Sequence, residues 1–178
     1  EAERRALYVS IKAYDNILAL QQKYDGTTMQ GTAYALLGQI AAACGLTLGQ
    51  TEAEIGALNP NAALVCQLSG TDGLSTWREC AAAVAQLVGG FAALRTFAEK
   101  PCAALTAAAR SEAAVSDFAC HYAALSIETD DGSFAAGRSQ DTGLTMRISN
   151  MTLAEKGLPA TRQQITDNLF AALQRLDY

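Results

Sequence analysis

The sequence predicts a mainly α-helical fold: a single-domain helical bundle of five to seven helices over residues 1–178, with a small β-hairpin near residues 124–149. Alanine is the commonest residue and only three of the 178 residues are proline, a composition that favours helix. Four threonines, each followed three residues later by Glu or Gln, match the motif of helix N-termini at expected helix starts. Alternation of apolar and polar residues is limited to two short segments.

Two helices are expected in the first quarter of the chain. Apolar residues recur at helical spacing from Glu3 to Tyr24, which predicts one amphipathic helix there. A second, more uniformly apolar helix is expected from Gln30 to Cys44. Gly45 follows it, and glycine is typical of a helix C-terminal stop.

The four threonine motifs predict four further helix starts, at Thr51 with Glu54, Thr76 with Glu79, Thr152 with Glu155, and Thr161 with Gln164. The first of these helices is expected to be short, because Asn59-Pro60 follows it. The second is expected to run through Gly89-Gly90 to Lys100-Pro101, since its apolar face stays in phase across the two glycines. A turn at the glycine pair is the alternative.

The remaining helices are expected in the second half of the chain. A helical stretch is predicted from Cys102 to about Ala124, and the Thr152 helix should last one or two turns. The Thr161 helix should reach the C-terminus with Ile165, Leu169 and Leu173 on one face.

Two segments have the period of β-strands. Leu125 to Thr129 and Leu144 to Ser149 alternate apolar with polar residues, which predicts strands with one buried face. The polar connection from Asp130 to Gly143 lies between them. The two strands are therefore expected to form a hairpin that packs on the helices.

The five cysteines allow two interpretations. In the first, disulfides form in an oxidising compartment, with Cys66–Cys80 and Cys102–Cys120 as the favoured pairs, Cys44 buried and free, and Cys44–Cys66 as the competing pair. In the second, all five are buried thiols of an intracellular protein. The start at Glu1 without Met fits signal-peptide removal and a trimmed chain equally. We expect a periplasmic or secreted protein, with the cytoplasm as the alternative.

Composition and spacing exclude several classes of function. The formal net charge of −5 without a basic cluster argues against nucleic-acid binding. The most apolar segments are about fifteen residues long, short of the roughly 20 that a membrane-spanning helix needs. The cysteines form no CxxC pair, and His121 is the single histidine, so neither a metal site nor a cofactor is expected.

The candidate binding surface is the polar connection between the predicted strands. Long loops on a rigid scaffold often carry function, and this one holds Asp130, Asp131 and Asp141 with Arg138 as its one cation. A solvated turn is the competing interpretation. Trp77 is either a second partner-binding anchor or a ring that covers one end of the bundle.

We predict a non-enzymatic exported protein that binds another protein, such as an inhibitor, an immunity factor or an assembly accessory factor. Two alternatives stay open. One is a binder of a small apolar ligand, held where small side chains leave space among alanine-rich helices. The other is an enzyme whose site is assembled from distant residues around His121 as general base.

Overall fold

A computed structural model describes residues 16–97, 100–107, 122–129, 132–138, 143–149, 151 and 159–175. Its α-helices are α1 (Ala33–Ala43), α2 (Glu52–Gly56), α3 (Trp77–Leu87) and α4 (Pro159–Gln174). Its short 3-10 helices are Asn16–Gln21, Pro60–Ala63 and Gly70–Asp72. Its strands are β1 (Met29–Gly31), β2 (Thr47–Leu48), β3 (Cys66–Leu68), β4 (Gly90–Phe97), β5 (Lys100–Ala107), β6 (Tyr122–Thr129), β7 (Gly132–Gly137) and β8 (Leu144–Ser149).

These strands form three sheets, so the fold is mixed α/β and the predicted bundle of five to seven helices is wrong. β1 pairs with β3 in an antiparallel ribbon. The second sheet has the order β2-β5-β4, with β2 parallel and β4 antiparallel to β5. The third has the order β7-β6-β8, with β7 antiparallel and β8 parallel to β6.

The helix starts in the first half of the chain follow the sequence closely. Thr32 caps α1, and Gly45 follows α1 with a φ of +69°. At α2, the Glu54 N–H donates to Thr51 Oγ1 at 3.3 Å and the Thr51 N–H donates to Glu54 Oε2 at 2.7 Å. Thr76 and Glu79 make the same reciprocal pair at α3. Both capping boxes are therefore confirmed.

The predicted continuation of α3 through the glycine pair is wrong. The helix ends at Leu87, Gly89 has a φ of +67°, and β4 begins at Gly90. β4 and β5 pair antiparallel, with Gly90 opposite Ala107. A Cβ on Gly90 would lie 2.0 Å from the carbonyl oxygen of Thr106, so this close pairing requires glycine. Pairing between the segments overrides the helix propensity of their alanines.

The predicted hairpin near residues 124–149 is also corrected. β6 forms its hairpin with β7, which lies inside the segment interpreted as a loop, and Thr129 pairs with Gly132. β8 lies on the other side of β6 and runs parallel to it. β7 was missed because it is an exposed edge strand whose only buried side chain is Ala136.

The other predicted helices are only partly described. Of the expected helix from Glu3 to Tyr24, the described part holds the 3-10 helix Asn16–Gln21. The expected helix from Cys102 to Ala124 is replaced at its two described ends by β5 and β6. The Thr152 helix lies outside the described residues. α4 begins at Pro159, two residues before the predicted Thr161 start.

One continuous cluster of buried side chains connects the helices to the sheets. It includes Leu37 and Ile40 of α1, Leu87 of α3, Leu125 of β6 and Ile165 of α4. None of the helices in the described part of the chain combines the length and the apolarity needed to cross a membrane.

A side chain extends the ladder between β2 and β5. After the strand pairs, the Gly49 N–H donates to the carbonyl of Ala103 at 2.9 Å. The Gln50 amide nitrogen then donates to the carbonyl of Leu105 at 2.9 Å, and its oxygen accepts from the Leu105 N–H at 2.7 Å. Gln50 therefore continues the pairing of β5 with its side chain.

Candidate ligand cavity

A cavity of about 560 Å³ lies where the C-terminal ends of α3 and α4 meet β6 and β8. Its volume falls within the roughly 300–1,000 Å³ of small-molecule sites. The apolar lining consists of Leu58, Val88, Ala107, Leu125, Met146, Ile148, Leu169, Ala172 and Leu173. The other lining residues are Gln86, Gly89, Gly90, Tyr122 and Arg175.

The position of α4 explains why the cavity exists. α4 packs chiefly against β6 and β7. Met146 and Ile148 of β8 lie opposite Leu125 and Ile127 of β6, so the four side chains share one face of the sheet. The β6 pair is fully buried, whereas the β8 pair is only partly buried. The apolar face of β8 therefore forms one wall of the cavity.

Small residues form another part of the wall. Gly89 and Gly90 make the turn from α3 into β4, Ala107 ends β5, and Ala172 lies near the end of α4. The turn approaches α4 closely, since a Cβ on Gly89 would lie 3.2 Å from Leu169 Cδ2. The missing side-chain volume at these positions leaves space that larger residues would occupy.

The cavity runs from an apolar interior to a cationic mouth. Leu125 and Val88 are 0% and 1% exposed, whereas Arg175 is exposed at the end of α4. Arg175 is the one charged residue among the described lining residues. An occupant would therefore contact hydrocarbon inside and a guanidinium group at the surface.

A buried asparagine cluster connects two walls of the cavity. The Asn61 amide nitrogen donates to the carbonyl of Leu87 at 3.0 Å and to that of Ile165 at 3.2 Å. The Asn168 amide nitrogen donates to Asn61 Oδ1 at 2.8 Å. Asn61 is 0% exposed. These bonds hold the end of α3 against α4 beside the cavity, since Leu87 follows the lining residue Gln86 and Asn168 precedes the lining residue Leu169.

Trp77 and Arg138, the two sequence-predicted binding residues that the structure describes, do not line this cavity. Trp77 is 7% exposed and packs edge-on against Tyr24, with ring centroids 4.9 Å apart. Arg138 is exposed directly after β7, and its N–H donates to the carbonyl of Ala123 at 3.0 Å. Asp130, Asp131, Asp141 and the candidate base His121 lie outside the described residues. The partner-binding surface stays a prediction.

The cavity residues left only indirect signals in the sequence. The glycine pair was recognised as an alternative turn, and the alternation of Met146 and Ile148 predicted their strand. Their shared exposure depends on where α4 packs, which local spacing does not specify. Arg175 belongs to no sequence motif that would identify it as a binding residue.

The predicted disulfides are not found among the described cysteines. Cys44, Cys66 and Cys80 are buried free thiols, so the Cys66–Cys80 pair and the competing Cys44–Cys66 pair are wrong. The Cys102 sulfur lies 3.3 Å from Thr47 Oγ1 in a hydrogen bond, while Cys120 lies outside the described residues. A hydrophobic core of this size explains the buried thiols as small apolar side chains. Export of the protein stays a prediction, and a Cys66–Cys80 disulfide no longer supports it.

The buried thiols predict a loss of stability at alkaline pH. Burial raises the pKa of Cys80 from 9.0 to about 12, and burial also raises the pKa of Cys44 and Cys66. The unfolded chain loses these protons from about pH 9, while the folded chain keeps them. The stability present below pH 9 should therefore fall as the pH rises towards 12.

Urea denaturation at a series of pH values measures this effect. The wild-type protein should lose more free energy of unfolding between about pH 8 and 11 than Cys80→Ala, because the variant lacks the most strongly shifted thiol. The comparison uses the change in the free energy of unfolding with pH, so the pH-independent effect of removing the sulfur cancels. Equal slopes would contradict the assignment to Cys80.

No group of three or more His, Cys, Asp or Glu side chains in the described ranges is arranged to hold a metal ion.

No protein-family model matches the chain, and no curated protein or solved structure matches it either. The cavity geometry is therefore the main guide to function.

Proposed function

We propose that this chain binds a small, mainly apolar molecule in the cavity formed by α3, α4, β6 and β8. The observation that carries the proposal is an apolar space of about 560 Å³ whose wall includes the partly buried side chains of Met146, Ile148 and Leu173. Moving apolar surface out of water is favourable by roughly 25 cal/mol per Å². An apolar occupant would cover these side chains and be stabilised by that transfer.

The described part of the wall suits binding better than catalysis. Its residues supply one amide, one phenol and one guanidinium among nine apolar side chains, and none of them is a carboxylate, thiol or imidazole. Small-molecule sites commonly combine a predominantly apolar wall with a few polar groups that orient the ligand. The proposal therefore adopts the apolar-ligand alternative from the sequence analysis.

A cavity-filling substitution tests the proposal. The probe is N-phenyl-1-naphthylamine, a neutral dye that fluoresces in apolar surroundings, and wild-type protein should bind it saturably with one site per chain. Ala172→Phe should weaken binding by roughly tenfold or more, because the ring occupies the ligand space and one good hydrophobic anchor is commonly worth this much. The variant should fold normally, since the ring enters empty space.

The neighbouring alanine supplies the matched control. Ala171 is exposed, and adjacent helix positions point about 100° apart, so Ala171→Phe adds the same ring outside the cavity. Dye binding by this variant should match wild type. Equal weakening by both substitutions, or no saturable binding by the wild-type protein, would overturn the proposed function.

A further inference from the structure

We infer that the ligand is an amphiphile with an acidic head group, such as an alkyl carboxylate, with its chain in the cavity and its head group at Arg175. This inference rests on the proposed function and specifies the ligand class. It depends on the direction of the cavity, which begins among fully buried apolar side chains such as Leu125 and ends at an exposed cation. A tail and a head group match these two ends.

The charge at the mouth selects the sign of the head group. No acidic residue occurs in the described lining, and no described residue gives the Arg175 guanidinium a hydrogen bond or an ion pair. A guanidinium group presents paired N–H donors whose geometry matches a carboxylate. An ammonium head group would meet a like charge at the same place.

The helix end does not cancel this charge. Arg175 directly follows α4, and a C-terminal helix end carries roughly half a negative elementary charge, spread over its free carbonyl groups. The arginine carries a full positive charge on an exposed side chain. The described lining therefore keeps a net positive charge at the end of α4, where Arg175 is its one charged residue.

A second polar group can assist. Gln86 is the last residue but one of α3 and lines the same cavity, where its amide N–H groups can donate to a carboxylate oxygen. Gln86 lies in α3 and Arg175 directly follows α4, and Asn61 holds these two helices together. The acidic head group would thus be recognised by donors at the C-terminal ends of both helices.

Three ligands with the same ten-carbon chain test the inference, namely decanoate, decanol and decylammonium. Each is titrated as a competitor of N-phenyl-1-naphthylamine on the wild-type protein near pH 7.5 at low ionic strength, with decanoate and decylammonium below their micelle concentrations and decanol below its solubility limit. Decanoate should bind roughly five- to tenfold more tightly than decanol, as expected for a partly exposed charge-assisted contact, and decylammonium should bind most weakly. Added salt should reduce the advantage of decanoate.

Two arginine variants separate a local contact from a general charge effect. Arg175→Gln should remove the advantage of decanoate and leave decanol binding unchanged. Arg147 is an exposed arginine of β8 that lies between the lining residues Met146 and Ile148 and points to the other face of the sheet. Arg147→Gln makes the same change in net charge and should leave the advantage of decanoate intact.

The outcomes distinguish the two proposals. Equal affinities for the three ligands, tightest binding by decylammonium, or equal effects of the two arginine variants would overturn the acidic-head inference and leave the proposed function standing. Failure of all three ligands and of the dye to bind would overturn the proposed function and the inference with it.

Discussion

Asn61→Ala is expected to lower the free energy of unfolding by roughly 3–5 kcal/mol, because each buried polar group left without a partner costs about 1–3 kcal/mol. The alanine removes the donor to the carbonyls of Leu87 and Ile165 and the acceptor of the Asn168 amide. Water cannot replace these bonds easily, since Asn61 is 0% exposed. Urea denaturation followed by circular dichroism measures the loss.

An exposed amide with a similar bonding pattern provides the control for Asn61. The Gln39 amide nitrogen also donates to two carbonyls, those of Gln30 and Ala35, but the side chain lies at the surface of α1. Gln39→Ala should change stability by only about 0.5 kcal/mol or less, because water can replace both bonds. Similar losses for the two variants would show that the asparagine cluster does not hold α3 against α4.

Gly137→Ala is expected to destabilise the protein by roughly 2–5 kcal/mol, the sum of about 1–2 kcal/mol for left-handed backbone and about 1–3 kcal/mol for overpacking. Gly137 ends β7 with a φ of +76°. A Cβ there would lie 2.2 Å from the carbonyl oxygen of Ala123 and 2.6 Å from Phe170 Cζ. The added methyl group would thus push against β6 and α4 together.

Gly73 separates the two contributions at Gly137. Its φ of +72° is nearly the same, but a Cβ on Gly73 would meet no atom within 4 Å. Gly73→Ala should therefore cost only the backbone contribution of about 1–2 kcal/mol. Thermal or urea unfolding of both variants gives the difference, and an equal loss at the two glycines would contradict the close packing of α4 on β7.

The parts of the fold that the sequence predicted are those fixed by residues close together in the chain. Thr51 with Glu54 and Thr76 with Glu79 satisfy backbone groups within one helical turn, so each start is set locally. Gly45 after α1 is another local signal. These signals specify where a helix begins or ends and say little about which elements then pack together.

The parts that the sequence did not predict depend on pairing between distant segments. Phe91 to Phe97 has an apolar spacing that suits a helix, but Gly89 turns the chain and the segment pairs with β5 instead. Likewise, β8 pairs directly with β6 in parallel, on the side of β6 opposite to β7, which no local spacing of Leu144 to Ser149 could reveal. The cavity depends on both arrangements, so its lining could not be assembled from the sequence.

The cysteine prediction failed for a different reason. Spacing alone allows Cys66 and Cys80 to approach each other, and the expected export of the protein favours a disulfide. In the structure both thiols are buried. Cys66 lies in β3, in the antiparallel ribbon with β1, and Cys80 lies in α3. Burial among apolar neighbours is a sufficient role for cysteine, and sequence spacing does not distinguish that role from crosslinking.

The Gln50 side chain has a consequence for how separate molecules interact. An unpaired strand edge can recruit a strand from another chain, which is a common route to aggregation. Gln50 occupies both the N–H and the C=O of Leu105, the groups through which an incoming strand would pair with β5 beyond the short β2. One amide side chain thus closes part of an edge that the two residues of β2 are too few to cover.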